Sequence, residues 1–483
     1  MRARVRSRRP RGPWVWGCAL VVAAVMSAVV AGASLTADSD LDAVKPSRPR
    51  PIASSLQRQA IHAVALADAG ARTAMWVDAD GLVSAAVPDG SGGWFIGGNF
   101  SHVAGQRRAG LAHVRADGEL DRRWAPKVKA PKGPIMSHET SNGAHALAVV
   151  GNTLYVGGDF TAINGRRRNG LAAVDATTGR VRAWNPRLND AVWAVGATSG
   201  RIYAGGRFTR AGRASRRGLA AFDAATGALK PWNPGVTGRI RTATDPAVYT
   251  LLLDRGTLYI GGAFGVVSGR ARASLAAFDV ATGALTPWRP DTNDVMALAV
   301  WGDTVFLGGG FTEVRDDTAD DEFGEVRESL AAVDARTGRL LPWQADAVSD
   351  TNSPAGVTAL TVVGDRLFVG GGFTSLAGEP RRRLGVVNTA TGVPIAWDPR
   401  PKESVDVLVA DGDRVFVGGG FKELDGLSGQ ARPPSRRALE SHRPAHGLTR
   451  RRASARGIAC RPAAVTESSI RGCCVSRGSV GVV

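Results

Sequence analysis

The stretch Leu171-Ala-Ala-Val-Asp175-Ala-Thr-Thr-Gly179 decides the fold, because the chain writes it again and again. It returns as Leu219-Ala-Ala-Phe-Asp223, Leu275-Ala-Ala-Phe-Asp279 and Leu330-Ala-Ala-Val-Asp334, with weaker copies starting at Leu111 and Leu384. A Gly-Gly-x-Phe phrase precedes each, with Phe at 100, 160, 208, 264, 311, 373 and 421. A Trp, usually followed by x-Pro, closes units at 124, 184, 232, 288, 343 and 397. From Phe to Trp the distance is 24 residues five times and 32 once. Self-similarity at such a period marks one supersecondary unit repeated along the chain.

Each unit reads as four short strands. In one copy, 191–197 is the first, a Ser-Gly turn leads to 201–206, a loop leads to 218–223, and 228–232 follows a Thr-Gly turn. Glycine stands in the tight turns, where hairpins need positive φ. The proline after each Trp has no N–H to donate and belongs at a strand end or edge. Such units cannot bury enough apolar surface alone, and they fit the blades of a β-propeller better than the shorter rungs of a β-solenoid.

There are seven Phe anchors but only six Trp anchors after them, and Trp76 supplies the seventh ahead of the first Phe. Residues 63–76 align without a gap on 111–124, so the N-terminal part reads as the second half of a unit whose first half is 404–421. The expected fold is therefore all-β, a seven-bladed propeller of four-stranded antiparallel blades. Strands from both ends of the domain close it in one composite blade, which removes exposed sheet edges.

Together, Gly-Gly-x-Phe-Thr, Leu-Ala-Ala-x-Asp-x-x-Thr-Gly and Trp-x-Pro resemble the delta-60 repeat propellers of secreted and cell-surface proteins. The resemblance covers roughly residues 63–426 and implies an extracytoplasmic β-propeller. That family has no established catalytic residues to carry over. The chain departs from its pattern in the 427–483 tail and at Asn388, where Asp is usual. The A-x-D-x-x-T-G-x-x-x-x-W phrase is also similar to the blade-docking motif of quinoprotein propellers. Asp and Thr would hydrogen-bond the turn while Trp packs flat between blades.

Outside the repeat, residues 1–33 combine six arginines with an apolar run, Trp14 to Val30, and a small-residue site, Ala31-Gly32-Ala33. That is the anatomy of a signal peptide, the rival reading being a retained membrane anchor. Residues 34–60, with Pro46, Pro49 and Pro51, read as a linker. Residues 427–483 contain no Asp, Lys, Asn, Phe, Tyr or Trp and read as a disordered basic tail or an out-of-frame translation. The domain is then 61–426.

These ends also explain the charge. Residues 1–33 hold no acid, and 427–483 set eleven arginines against Glu440 and Glu467, so most of the net +18 lies outside the repeats. A near-neutral body argues against nucleic-acid binding. Four cysteines, at 18, 460, 473 and 474, leave the repeats without any and exclude a disulfide scaffold.

For chemistry, the sequence offers no nucleophile elbow and no phosphate-binding loop. No catalytic residue, metal site or cofactor is expected. Adjacent Cys473 and Cys474 are similar to a pair found in some quinone-cofactor dehydrogenases but lie outside every blade. His442 and His446 match no zinc spacing. Acids in 312–328 lack an EF-hand pattern and read as a solvated loop.

What remains is a face. The first and third turns of every unit are tight, and all length variation falls in the second loop and the blade-to-blade link, which share the opposite face. Variable loops on a rigid scaffold are where binding usually resides. On that face Lys127, Lys129, Lys132, His138, Arg239 and Arg241 form an expected basic sector, and Asp316, Asp317, Asp320 and Asp321 an acidic one. The expected function is a secreted or cell-surface binding scaffold for a protein, glycan or cell-wall component. It would contact a membrane only if the N-terminal segment is retained. The alternative is a propeller enzyme, a lyase, glycosidase or quinoprotein, with its site near the axis.

Overall fold

The computed structural model describes residues 61–66, 74–131, 143–238, 246–316, 324–350, 356–422 and 424. The expected signal segment, linker and basic tail lie outside these residues. Every regular element among the described residues is a β-strand.

Six three-stranded antiparallel sheets repeat one plan, a hairpin followed by a third strand on the far side of the second. They are Val83–Pro88, Trp94–Gly98 and Leu111–Val114; Gly143–Val150, Thr153–Asp159 and Leu171–Asp175; Val192–Ala197, Arg201–Gly206 and Leu219–Asp223. Then come Ala247–Asp254, Thr257–Ala263 and Leu275–Asp279; Val295–Trp301, Thr304–Gly309 and Leu330–Asp334; Val357–Val363, Arg366–Gly371 and Leu384–Asn388. One further sheet joins distant parts of the chain. Val405–Asp411 pairs with Arg414–Gly419, which pairs with Ile61–Leu66 (Val64 opposite Val417), which pairs with Ala74–Ala79. First strands of successive sheets lie side by side, and Val405–Asp411 lies beside Val83–Pro88.

In the shared sheet the expected fourth strand, Ala74–Ala79, is formed in full beside Ile61–Leu66. In the six other sheets it is shorter than the sequence suggested, a single bridge, Val174 with Val181 or Phe222 with Leu229 for example. Proline explains the brevity in three units, since Pro231, Pro287 and Pro342 stand directly before the Trp and cannot donate to a ladder.

The paired glycines have separate jobs. A Cβ on the first would strike the neighbouring sheet's first strand: at Gly205 it would lie 2.7 Å from Val248, and at Gly418 it would lie 3.3 Å from Val83. A Cβ on the second would strike its own sheet's first strand, 2.2 Å from the Ala191 carbonyl at Gly206. The first glycine therefore lets neighbouring sheets pack closely, and the second lets the first two strands of one sheet come together.

The core lies between sheets. One cluster joins Tyr155, Leu171 and Trp184 of one unit to Phe208 and Phe222 of the next. Trp184 donates its indole N–H to the Asp223 carbonyl at 3.0 Å, and Trp288 likewise reaches the Asp334 carbonyl at 3.0 Å. The Trp184 contacts with neighbouring rings are edge-on. Trp184 stands edge-on to Tyr155 and to Phe222, at 72° and 71°, which suits the opposite charges of ring edge and face. The carboxylate of the repeated Asp does close its turn, since Asp334 Oδ1 accepts from the N–H and the hydroxyl of Thr337, both at 2.6 Å. Asn388 does the same for Thr391.

A repeated arginine completes the unit. Arg108, Arg168, Arg272 and Arg327 are buried, and Arg168 donates to the carbonyls of Arg167 (2.8 Å) and Arg182 (2.6 Å), tying the third strand's approach to the bridge that follows it. Buried cations are tolerable when carbonyls take up their donors.

Candidate functional site

The segment between second and third strands, expected as a loop, is a short hairpin. Ala162–Ile163 pairs with Arg166–Arg167, Val266–Val267 with Arg270–Ala271, and Ser375–Leu376 with Glu379–Pro380. Their turns place two residues at positive φ, Asn164 and Gly165, Ser268 and Gly269, Ala377 and Gly378, as the type I′ turn demands. Each hairpin is stitched to the link that leaves the preceding unit. Val128–Lys129 pairs with Ala162–Ile163, Val236–Thr237 with Val266–Val267, and Ala347–Val348 with Ser375–Leu376. The variable face is thus paved with small β-ribbons, which order its side chains more firmly than loops would.

Of the residues expected on this face, Lys127 and Lys129 are exposed on the ribbon that also carries Arg166 and Arg167. The Lys127 backbone N–H is held by Asn164 Oδ1 at 2.8 Å, leaving its ammonium to solvent. Asp316 also has a structural job. It is half-buried, and its Oδ2 accepts the Leu340 N–H at 2.9 Å, so it braces its own unit. Lys132, His138, Arg239, Arg241, Asp317, Asp320 and Asp321 lie outside the described residues. The described part of the structure therefore brings together two of the basic residues and separates them from the one acid it describes.

A second set of residues on the same side was missed. Every first strand carries a β-bulge opposite its Gly-Gly pair, and one residue there has no partner in the register: Ser84, His145, Trp193, Tyr249, Met296, Thr358 and Asp406. Bulges re-aim side chains and recur beside functional sites. Neighbouring bulge positions meet, since the rings of Trp193 and Tyr249 are 5.3 Å apart and Thr358 donates its hydroxyl to the Val405 carbonyl at 2.8 Å. The Arg207 guanidinium lies 5.5 Å over the Trp193 ring and pairs with Asp190 at 3.1 Å. Nearby, burial and the Asp190 carboxylate push the Asp159 carboxyl up, against the pull of Arg207. The signal was present in the sequence. In a repeat whose neighbouring positions are nearly constant, this one holds a different residue in every copy.

The arrangement offers paired aromatic faces, a fixed cation and carboxylates within one neighbourhood. It suits recognition of a polar ligand by stacking and charged hydrogen bonds. Beside it, a groove of about 570 Å³ is lined by Asp190, Arg207, Arg217 and Thr237.

Among known proteins, residues 116–286 match a family model described as outer membrane protein assembly factor BamB, and residues 90–123 match one described as a β-propeller domain of unknown function. No curated protein matches the chain. Similar solved structures include the Pan2 WD40 domain of Neurospora crassa (10% identity, 72% of this chain and 92% of that one, TM-score 0.42). Others are the computationally designed Ika8 protein (12%, 71% and 96%, 0.39) and the extracellular domain of a hybrid two-component system of B. thetaiotaomicron (12%, 71% and 38%, 0.39). With its small antiparallel sheets and its match to a β-propeller family model, the chain is a β-propeller.

Proposed function

We propose that the protein is a secreted or cell-surface binding scaffold. In this reading it is a seven-bladed propeller of the delta-60 repeat type, with four-stranded blades closed by strands from both ends of 61–426. It recognises a protein, glycan or cell-wall component through its ribbon-bearing face. One observation carries the reading: a near-constant scaffold holds a different residue at the bulge of every unit, with Trp193, Tyr249, Arg207 and Asp190 already in mutual contact. A scaffold role alone would favour one residue type at that place, as it does for Gly-Gly and Trp. The runner-up, a propeller enzyme working near the axis, has Asp159 in its favour, because a carboxyl pushed up by burial and a neighbouring acid is suited to proton transfer.

The test is a glycan and cell-wall binding array probed with the full chain. Trp193→Ala with Tyr249→Ala, and separately Lys127→Glu with Lys129→Glu, should weaken the captured partner. Arg180→Glu with Arg339→Glu, exposed beside the tight Thr-Gly turns, should leave it unchanged. Equal responses from both faces would refute the assignment of a binding face.

A further inference from the structure

The ribbons of the second and third sheets enclose an open groove of about 710 Å³ lined by Arg167, Arg187, Arg213, Asn169, Asn185 and Asn189. We infer that this groove binds an acidic polysaccharide, a sugar chain bearing carboxylate or phosphate groups. The inference rests on the binding-face reading and names the chemistry of its ligand.

All three arginines are exposed, and among the described residues no acid lines the groove. Several guanidiniums elsewhere in the molecule pair with carboxylates: Arg182 with Asp175, Arg207 with Asp190, Arg289 with Asp291 and Arg414 with Asp411. Three arginines on the wall of one groove, with no carboxylate among its described lining residues, make it electropositive, and an anion seated there is attracted to all three. Arginine's planar fork holds carboxylate and phosphate groups through paired hydrogen bonds.

Backbone geometry supports the same site. Arg187 has φ 56°, in the left-handed region, while the corresponding place in the next unit is Gly235, at φ 57°. A long charged side chain is thus kept where glycine is the easier choice, and its carbonyl is fixed by the Gly212 N–H at 2.8 Å. Strain of this kind gathers at ligand-binding positions.

Asparagine supplies what a sugar needs beyond charge. Its side-chain amide both donates and accepts, as hydroxyl groups require. Asn189 is committed to Thr209 and Arg210, which leaves Asn169 and Asn185 on the groove wall for a ligand. No aromatic residue lines the groove to stack a base, so single-stranded nucleic acid is the poorer fit. Arg166, Lys129 and Lys127 continue the positive strip along the adjoining ribbon, which favours a polymer over a small anion.

Calorimetric titration of the full chain with polygalacturonate, phosphomannan, dextran and a single-stranded oligonucleotide tests this. At least one acidic polymer should bind, more weakly as salt rises, and dextran should not. The variant Arg167→Gln/Arg187→Gly/Arg213→Gln should lose roughly thirtyfold or more in affinity and much of the salt dependence, with a melting temperature no lower than the parent's. Arg213→Gln alone should lose a part of the same affinity. The inference is overturned if neither acidic polymer binds, if dextran binds as well, if the oligonucleotide binds more tightly, or if the triple variant binds like the parent. Should the triple variant be unaffected while Trp193→Ala with Tyr249→Ala abolishes capture on the array, the groove is wrong and the binding face stands.

Discussion

Replacing Ser329 by glycine should make the protein more stable, although the change deletes a buried side chain. Ser329 stands before the repeated Leu-Ala-Ala phrase with φ 64°, and Ser274 holds the equivalent place at φ 65°. Three other units have glycine there, Gly110, Gly170 and Gly218, at φ 74°, 67° and 69°. A left-handed backbone costs a residue with a Cβ about 1–2 kcal/mol. The Ser329 hydroxyl is also buried without a hydrogen-bond partner, a desolvation cost of roughly 1–3 kcal/mol. Against these stands the greater freedom of glycine in the unfolded chain, about 0.5–1 kcal/mol. The backbone bonds of the site, Ser329 N–H to the Phe311 carbonyl and Gly309 N–H to the Ser329 carbonyl, survive the change. The net gain should be about 1–4 kcal/mol, read as a higher urea midpoint with unchanged slope. Gly170→Ser is the counter-experiment, since a Cβ there would lie 2.4 Å from the Asp190 carbonyl oxygen. Its midpoint should fall. If Ser329→Gly destabilises, or Gly170→Ser is neutral, the reasoning about this turn is wrong.

Arg168→Met should cost roughly 1–3 kcal/mol in chemical denaturation, because the Arg167 and Arg182 carbonyls lose their donor, and Arg168→Lys should restore little since one ammonium cannot span both. Trp184→Phe should lower the denaturation midpoint, by about 1–3 kcal/mol, through loss of buried area and of the bond to the Asp223 carbonyl. Stability should also fall in acid. Hydrogen bonds from Thr282 hold the Asp279 carboxyl below its ordinary range, and at Asp175 and Asp334 burial acts the other way but is outweighed by the bonds from Thr178 and Thr337. Carboxyls depressed in the folded state contribute above their unfolded value, near pH ~3.9, and lose that contribution as pH falls through their folded values. The urea midpoint should therefore be level between about pH 5 and 7 and decline below about pH 4, and Asp334→Asn, which copies Asn388, should flatten the decline.

Much of the scaffold was legible because it is repeated. Gly-Gly, Asp-x-x-Thr-Gly and Trp each occur where the backbone leaves one answer: no room for a Cβ, a turn that needs an acceptor, a slot that takes an indole. The offset between seven Phe and six following Trp anchors pointed to the shared sheet of Ile61–Leu66 and Arg414–Gly419. The ribbons were legible too, in Asn164-Gly165 and Ser268-Gly269, but their strands are two residues long and too short to show alternation. The bulge residues escaped for a different reason. A bulge is a property of register between two strands, and at the level of one strand Trp193 or Tyr249 reads as an ordinary apolar residue. The structural bond of Asp316 was not legible, because charge in a sequence does not say which carboxylates a nearby N–H has already taken.

Hydrogen–deuterium exchange of the full chain tests most directly the claim that both ends of the domain close one ring and so hold the binding face rigid. Ile61–Leu66 pairs on both sides, with Arg414–Gly419 and Ala74–Ala79, so its amides should be protected as strongly as those of Arg201–Gly206, which is likewise a middle strand. Exchange of Ile61–Leu66 within seconds, while Arg201–Gly206 stays protected, would contradict the closed ring.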